Sequence, residues 1–188
     1  INVVKKLYNT KLDFNFFEKD KKSIKLLAIG RLVDQKDHIT ILRSLNHINK
    51  KIKLCIIGKG EKKKELLHYV KANNLSKKVK LIGFKNNIYP YIKKSDIFIL
   101  SSKYEGLPNS LIEAKTCGIE IISTNCKTGP REILKGYKRY NFFRIGDYKR
   151  LSNLIESYKK TNTLKKITLD KKFQFKHCIK KYQRLIEK

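Results

Sequence analysis

The chain predicts an α/β fold built on an open, doubly wound, mostly parallel sheet. Three observations predict it. Six short apolar runs recur along the chain, each followed by a segment with helical spacing or a helix-start signal. The runs are close to continuously apolar, as expected of strands buried on both faces rather than on one. No internal repeat links the units, so strand–helix alternation is the organising pattern and points to a sheet with helices on both sides.

The first strand is Ile24-Lys25-Leu26-Leu27-Ala28-Ile29, closed by Gly30. A loop with Arg31 and Lys36 follows, then a helix over about 38–48 with Ile39, Leu42, Leu45 and Ile48 on one face. The second strand, from Ile52, runs into Gly58-Lys59-Gly60 and a helix over 61–73. No third glycine follows at dinucleotide spacing, which excludes the NAD fingerprint. Gly58 and Gly60 are expected to let this turn pass close to a ligand. The third strand, 78–84, ends at Gly83-Phe84, and a short helix within 85–95 turns Ile88, Tyr91 and Ile92 inward. The fourth strand, 96–102, feeds Tyr104-Glu105-Gly106-Leu107-Pro108-Asn109-Ser110-Leu111-Ile112-Glu113, a helix that stops near Cys117-Gly118, where glycine is a C-terminal cap signal. The fifth strand, 119–124, leads to Gly129-Pro130 and another helix start. The sixth, from Tyr140, precedes Asp147, a cap for a helix carrying Leu151, Leu154, Ile155 and Tyr158.

The boundaries that result are an arm at 1–22, a Rossmann-like domain at 23–160 and a helical extension at 161–188. In the arm, Phe14, Phe16 and Phe17 suit either a connector docked on an apolar surface or an ordinary N-terminal arm. In the extension, Phe175, Cys178, Ile179, Tyr182 and Ile186 form one helical face, which packs on its own sheet or on another domain.

Net charge is +29, but only seven of the 45 cations are arginines. The excess lysine reads mainly as solvated background. An anionic membrane surface is its functional alternative. No stripe of arginine interleaved with aromatics appears, so no nucleic acid partner is expected. No apolar run approaches the roughly 20 residues of a membrane span, and no signal peptide is visible. Ile1 rather than Met opens the chain, as in a piece of a longer polypeptide. Cys55, Cys117, Cys126 and Cys178 form no C-x-x-C pair, and the four histidines are scattered. A reducing compartment without a metal site is expected.

The chemistry concentrates at Glu105–Glu113. Pro108 is expected at the first helical position, with the N–H groups of residues 109–111 left free at the helix start, where anions are favoured. Gly106 admits a close ligand. Two carboxylates beside amide donors match a nucleotide-sugar, which offers phosphate and hydroxyls. Without other motifs, two glutamates near a helix start would only complement its dipole, worth about 0.3–1 kcal/mol. Arg31 and Lys36 stand in the loop after a strand, at the sheet edge where ligands bind, as a guanidinium fork and a point charge.

These motifs resemble those of family 4 (group 1) glycosyltransferases with the GT-B fold. Glu105–Glu113 resembles the family's E-x7-E signature. Gly30-Arg31-Leu32…Gln35-Lys36 is similar to its diphosphate clamp, and Gly129-Pro130-Arg131-Glu132-Ile133-Leu134 to the members that build bacterial surface polysaccharides. The resemblance covers about 23–160 and implies the C-terminal, donor-binding domain. It implies retaining sugar transfer from a nucleotide-sugar, UDP-sugar favoured, to a glycan or polyprenyl-linked acceptor, with no metal or other cofactor. Glu105 would be the catalytic carboxylate, contacting the sugar, and Glu113 would hold the ribose. Gly30, Arg31, Lys36, Gly60, Gly106, Leu107, Asn109, Ser110 and Leu111 would complete the donor site. The family's Gly-Phe turn lines the base pocket, so Phe84 belongs either there or in the core. The leaving phosphate would take the acceptor's proton. An N-terminal acceptor domain or subunit is the implied partner. The implied location is cytoplasmic, at the inner face of the cell membrane. An inactive or split-enzyme subunit, a related epimerase and a basic binding module are the alternatives. Glu120 departs from the pattern, since relatives usually carry proline there, and a glutamate is unusual at the start of a buried strand.

Overall fold

Continuous apolar runs become strands that are covered on both sides. In the computed structural model, which describes residues 6–10, 14–17 and 22–160, β1 (Ile24–Ile29), β2 (Ile52–Ile57), β3 (Val79–Leu81), β4 (Ile97–Leu100), β5 (Glu120–Thr124) and β6 (Tyr140–Phe143) form one six-stranded sheet. Its order is β3-β2-β1-β4-β5-β6 and every neighbouring pair is parallel. The chain works outward from β1 to β3, then returns to β4 on the other side of β1. That reversal opens a crevice at the carboxyl ends of β1 and β4, the usual ligand position in such sheets.

Alternate residues of each strand supply two cores. Leu26, Leu54, Ile56, Ile97, Ile99 and Ile122 pack against Ile41 and Leu42 of α1 (His38–Ser44), Leu66 and Val70 of α2 (Lys63–Ala72), and Leu151 and Ile155 of α6 (Tyr148–Ser157). Leu27, Cys55, Ile57, Phe98, Leu100 and Ile121 face α3 (Tyr89–Lys94), α4 (Asn109–Thr116) and α5 (Pro130–Leu134). The doubly wound expectation therefore holds. The cysteine readings agree with it: Cys55, Cys117 and Cys126 are buried, and burial pushes the Cys55 thiol up to about 12.

Local signals set the ends. Asp147 caps α6 by accepting from the Arg150 N–H at 2.8 Å. Gly118 takes the left-handed conformation (φ 69°) just past α4, as its cap position requires. α1 is shorter than its apolar pattern suggests and closes as a 3-10 turn over Leu45–His47. Ser44 donates its hydroxyl to the Ile41 carbonyl at 2.7 Å, a local bond that competes with regular helix. Glu120 stays half-buried at the start of β5 and lies 3.7 Å from Arg139, just before β6, while burial holds its carboxyl above the usual range.

The arm docks through its aromatics. Phe17 is fully buried, and Phe14 meets Tyr91 of α3 edge-on with ring centroids 5.3 Å apart. The face formed by Phe175, Cys178, Ile179, Tyr182 and Ile186 lies outside the described residues. Among the described residues no helix is long and apolar enough to cross a membrane. Removing a buried phenylalanine leaves a cavity, so Phe17→Ala should lower the unfolding free energy by about 3–5 kcal/mol. Urea denaturation followed by circular dichroism measures this, and an unchanged midpoint would mean that the arm rests on the domain without stabilising it.

Candidate functional site

Three loops meet at the carboxyl edge of the sheet. The first follows β1 and contains Gly30, Arg31 and a 3-10 turn over Asp34–Lys36. The turn ends at Asp37, whose backbone is left-handed (φ 46°), a conformation that aspartate tolerates better than most residues. The second loop follows β4 and runs through Glu105 to α4. The third follows β5 and leads to α5.

The first two loops are tied by their own polar groups. Lys36 Nζ lies 2.5 Å from Glu105 Oε1, and Ser102 donates its hydroxyl to the same oxygen at 2.5 Å. Glu105 is only 7% exposed, so an unpaired charge there would be costly, and the lysine supplies the pair. Ser101 donates to the Lys36 carbonyl at 2.8 Å, the Lys103 N–H to the Gln35 carbonyl at 2.9 Å, and Gln35 Nε2 to the Tyr104 carbonyl at 2.9 Å. Lys36 and Glu105, which the family resemblance allots to different parts of a ligand, thus bind each other.

The helix start differs from the expectation by one position. Pro108 is the N-cap of α4, extended at φ −71° and ψ 96°, and Asn109 is the first helical residue. As N-cap, Pro108 offers its carbonyl as the first helical acceptor, and the Leu111 N–H takes it at 3.0 Å. The Leu111 amide is therefore not free, and its side chain is fully buried in the core. The amides of Asn109 and Ser110 remain at the helix mouth. The Ser110 hydroxyl donates to the Ile29 carbonyl at 3.3 Å and pins α4 to the end of β1. Leu107 is exposed, and a Cβ placed on Gly106 would meet nothing within 4 Å.

Beside these loops lies a cleft of about 520 Å³, lined by Gly30, Arg31, Gly58, Phe84, Asn86 and Glu113 among others. Phe84 is 61% exposed, which decides between its two readings: it belongs to the cleft wall and not to the core. At Gly58 and Gly60 a neighbouring loop also needs the room that a side chain would take. A Cβ on Gly58 would overlap the Gly30 carbonyl, and one on Gly60 the Leu32 backbone. Both glycines let the loops after β1 and β2 pass each other, and Gly60 does not line the cleft.

The two glutamates of the motif are in opposite states. Glu105 is buried and paired. Glu113 is half-buried and reaches the cleft, its carboxylate has no hydrogen-bond or ion-pair partner among the described residues, and desolvation raises its carboxyl pKa. Arg31 is exposed, and the one side-chain hydrogen bond of its guanidinium among the described residues goes to Gln35, at 3.5 Å. Next to it His38 is buried with neither ring nitrogen in hydrogen-bond geometry. Burial pushes its imidazole down to about 4 against the opposing effect of the Arg31 and Gly30 backbone, so the ring is neutral. Sequence reasoning missed His38, Ser102 and Thr128, the last of which donates its hydroxyl to the Glu105 carbonyl. No local pattern marks them. Among the described residues no group of side chains is arranged to hold a metal ion.

A family model described as "Glycosyl transferases group 1" matches residues 9–173. The chain belongs to this family. It is 39% identical over 137 residues to an uncharacterized glycosyltransferase of Methanocaldococcus jannaschii, an alignment covering 71% of this chain and 34% of the relative. It is 40% identical over 108 residues to a Campylobacter jejuni N-acetylgalactosaminyltransferase acting on a diphospho-undecaprenol-linked sugar, covering 57% and 30%. The fold matches that of Anabaena HepE crystallised with UDP, with TM-score 0.69 at 19% identity, over 81% of this chain and 44% of the other. The chain spans about a third of the length of the curated relatives it matches.

Glu113 gives a pH prediction. Its pKa is raised in the fold, so in the window above the ordinary carboxylate value the folded state binds more protons than the unfolded chain. Stability attributable to this group therefore falls as pH rises through that window. Glu113→Gln should raise the thermal midpoint at pH 7, and the gain should shrink on acidification below the ordinary carboxylate pKa. Scanning calorimetry at pH 4 and pH 7 checks it, and equal gains at both values would contradict it.

Proposed function

We propose that this chain is the donor-binding half of a family 4, GT-B, retaining glycosyltransferase. The observation that carries the reading is Glu113, a desolvated carboxylate without a partner, at the same cleft as Arg31 and beside a helix mouth with amides to offer. A group in that state is completed by neutral hydroxyl donors, and ribose has two. Arg31 and Lys36 then take the diphosphate. An ammonium has three donors, so Lys36 can hold Glu105 and a phosphate oxygen together. Phe84 offers a face to the base. Glu105, fixed by Lys36 and Ser102, is aimed at sugar hydroxyls as the catalytic carboxylate. Gly106, Leu107, Asn109 and Ser110 contribute backbone to the phosphate and sugar. Gly30 lines the diphosphate end.

In the reaction the bond from the anomeric carbon to the diphosphate oxygen breaks. The acceptor oxygen joins that carbon on the same face, and the acceptor's proton passes to the departing diphosphate. Arg31, Lys36 and the amides act on charge that grows in the transition state, which is where stabilisation accelerates the step. The donor is a substrate, and no cofactor takes part. A UDP-sugar is favoured, in keeping with HepE structures holding UDP and glucose. A polyprenyl-linked acceptor agrees with the name of the Campylobacter relative. The acceptor lobe belongs to a second domain or subunit, in keeping with the share of the relatives' length that this chain covers. The +29 charge would hold the protein at the inner face of the cell membrane, where each lysine near an anionic surface adds about 1 kcal/mol.

A thermal-shift screen of UDP, GDP, ADP and their sugars tests the site. One nucleotide at 100 times its Kd should stabilise the chain by about 2.7 kcal/mol, and Glu113→Ala should abolish the shift. Binding unaffected by Glu113→Ala would overturn the ribose assignment. Robust sugar transfer by this chain alone to a lipid-linked acceptor would overturn the half-enzyme reading.

A further inference from the structure

The order of the loops follows the order of the strands. The loop after β4, carrying Glu105 and Gly106, lies between the loop after β1, carrying Arg31 and Lys36, and the loop after β5, carrying Thr128 and Gly129. Thr128 donates its hydroxyl to the Glu105 carbonyl from the β5 side. The next carbonyl faces the same way. From the point where a Cβ on Gly129 would stand, the Gly106 oxygen is 2.6 Å away and its carbon 3.5 Å, so the C=O points at Gly129. The Pro108 ring is also close to that point, at 2.9 Å, and only a residue without a side chain leaves this room.

Among the described residues there is no cis peptide. In a planar trans peptide the N–H points opposite to the C=O. With both carbonyls turned to the β5 loop, the Gly106 and Leu107 N–H groups are turned the other way, toward the loop of Arg31 and Lys36. Neither N–H has a hydrogen-bond partner among the described residues. Both residues are exposed, and the space beside Gly106 is open. Two successive amides turned to one side can form a concavity for an anion.

We propose that Thr128 is a positioning residue for the donor's diphosphate. Its hydroxyl, with the bare Gly129 backbone, fixes the two peptide planes after Glu105 so that the Gly106 and Leu107 amides face the phosphate. The proposal rests on the donor-site reading above. Thr128 itself touches no ligand. It acts through the Glu105 carbonyl, and the loop after β5 thereby sets the phosphate geometry of a site built on β1 and β4. Without the hydroxyl, the Glu105–Gly106 peptide has no other hydrogen-bond partner among the described residues to hold its direction, and the amides turn away for part of the time.

The test uses ¹⁵N-labelled protein and whichever of UDP, GDP and ADP binds, with the matching nucleoside as control. In wild type the diphosphate should move the Gly106 and Leu107 amide resonances and the nucleoside should not. In Thr128→Val the diphosphate should bind about 10–100-fold more weakly, with the response of both amides reduced and nucleoside affinity unchanged. Thr128→Ser should restore both. Thr128→Ala, which is smaller and adds no packing demand, carries the same expectation if the valine variant does not fold. Wild-type diphosphate affinity and amide responses in the valine or alanine variant would overturn the proposal, as would equal weakening of nucleoside and diphosphate. Failure of all three diphosphates to bind wild type would overturn the donor-site reading itself, a result seen before any substitution at Thr128.

Discussion

The contact between Lys36 and Glu105 holds the site together. Its partners come from loops on either side of the reversal in strand order, 69 residues apart in sequence. A parallel sheet brings the ends of β1 and β4 side by side but does not fix the loops beyond them. The ion pair does, because Glu105 is buried and its charge requires a partner. Once it forms, Ser102 completes the carboxylate, Ser101 holds the Lys36 backbone, and Gln35 bridges to Tyr104. Breaking such a pair on one side only would strand a buried charge. An ammonium has three donors, and the contact with Glu105 uses one of them.

The fold was legible because its main determinant is local. Strands buried on both faces must be apolar at nearly every position, and this is visible without knowing which strand lies beside which. Gly118 and Asp147 were legible for the same reason, since a helix end is settled within a few residues. The exceptions arose where two local rules compete. Pro108 suits both the N-cap and the first helical position, and the difference of one residue decides whether the Leu111 amide is available. α1 tightens at Ser44, where a side-chain bond overrides an unbroken apolar pattern.

The site was legible only in part. Arg31 stands out because arginine is scarce among so many lysines, Lys36 only through the motif it shares with Arg31, and Glu113 because carboxylates around a Gly-Leu-Pro break are unusual in this composition. Phe84 could be placed only by its exposure, since a phenylalanine at the end of a strand looks the same in sequence whether it faces inward or outward. The close passage of the loop after β1 at Gly58 and Gly60 is a contact between distant segments, so no local pattern shows it. Ser102, Thr128 and His38 carry no sequence signal. Each matters through what lies near it in space: for Thr128, a carbonyl 23 residues away, and for His38, the backbone beneath Arg31.

Glu105 and Glu113 divide one requirement between them. A site for a polar ligand must be rigid before the ligand arrives and must still have groups left to satisfy. Glu105 answers the first need: its carboxylate and its carbonyl are both engaged, the one by Lys36 and Ser102, the other by Thr128. Glu113 answers the second. Its helix is pinned to β1 through Ser110, but its carboxylate is desolvated and has no partner among the described residues. The desolvation of Glu113 is what a ligand's hydroxyls would relieve. Two glutamates eight residues apart, identical on paper, thus stand in different states, one bonded to its neighbours and one open at the cleft, and the difference comes from the neighbours that the sheet assigns to each.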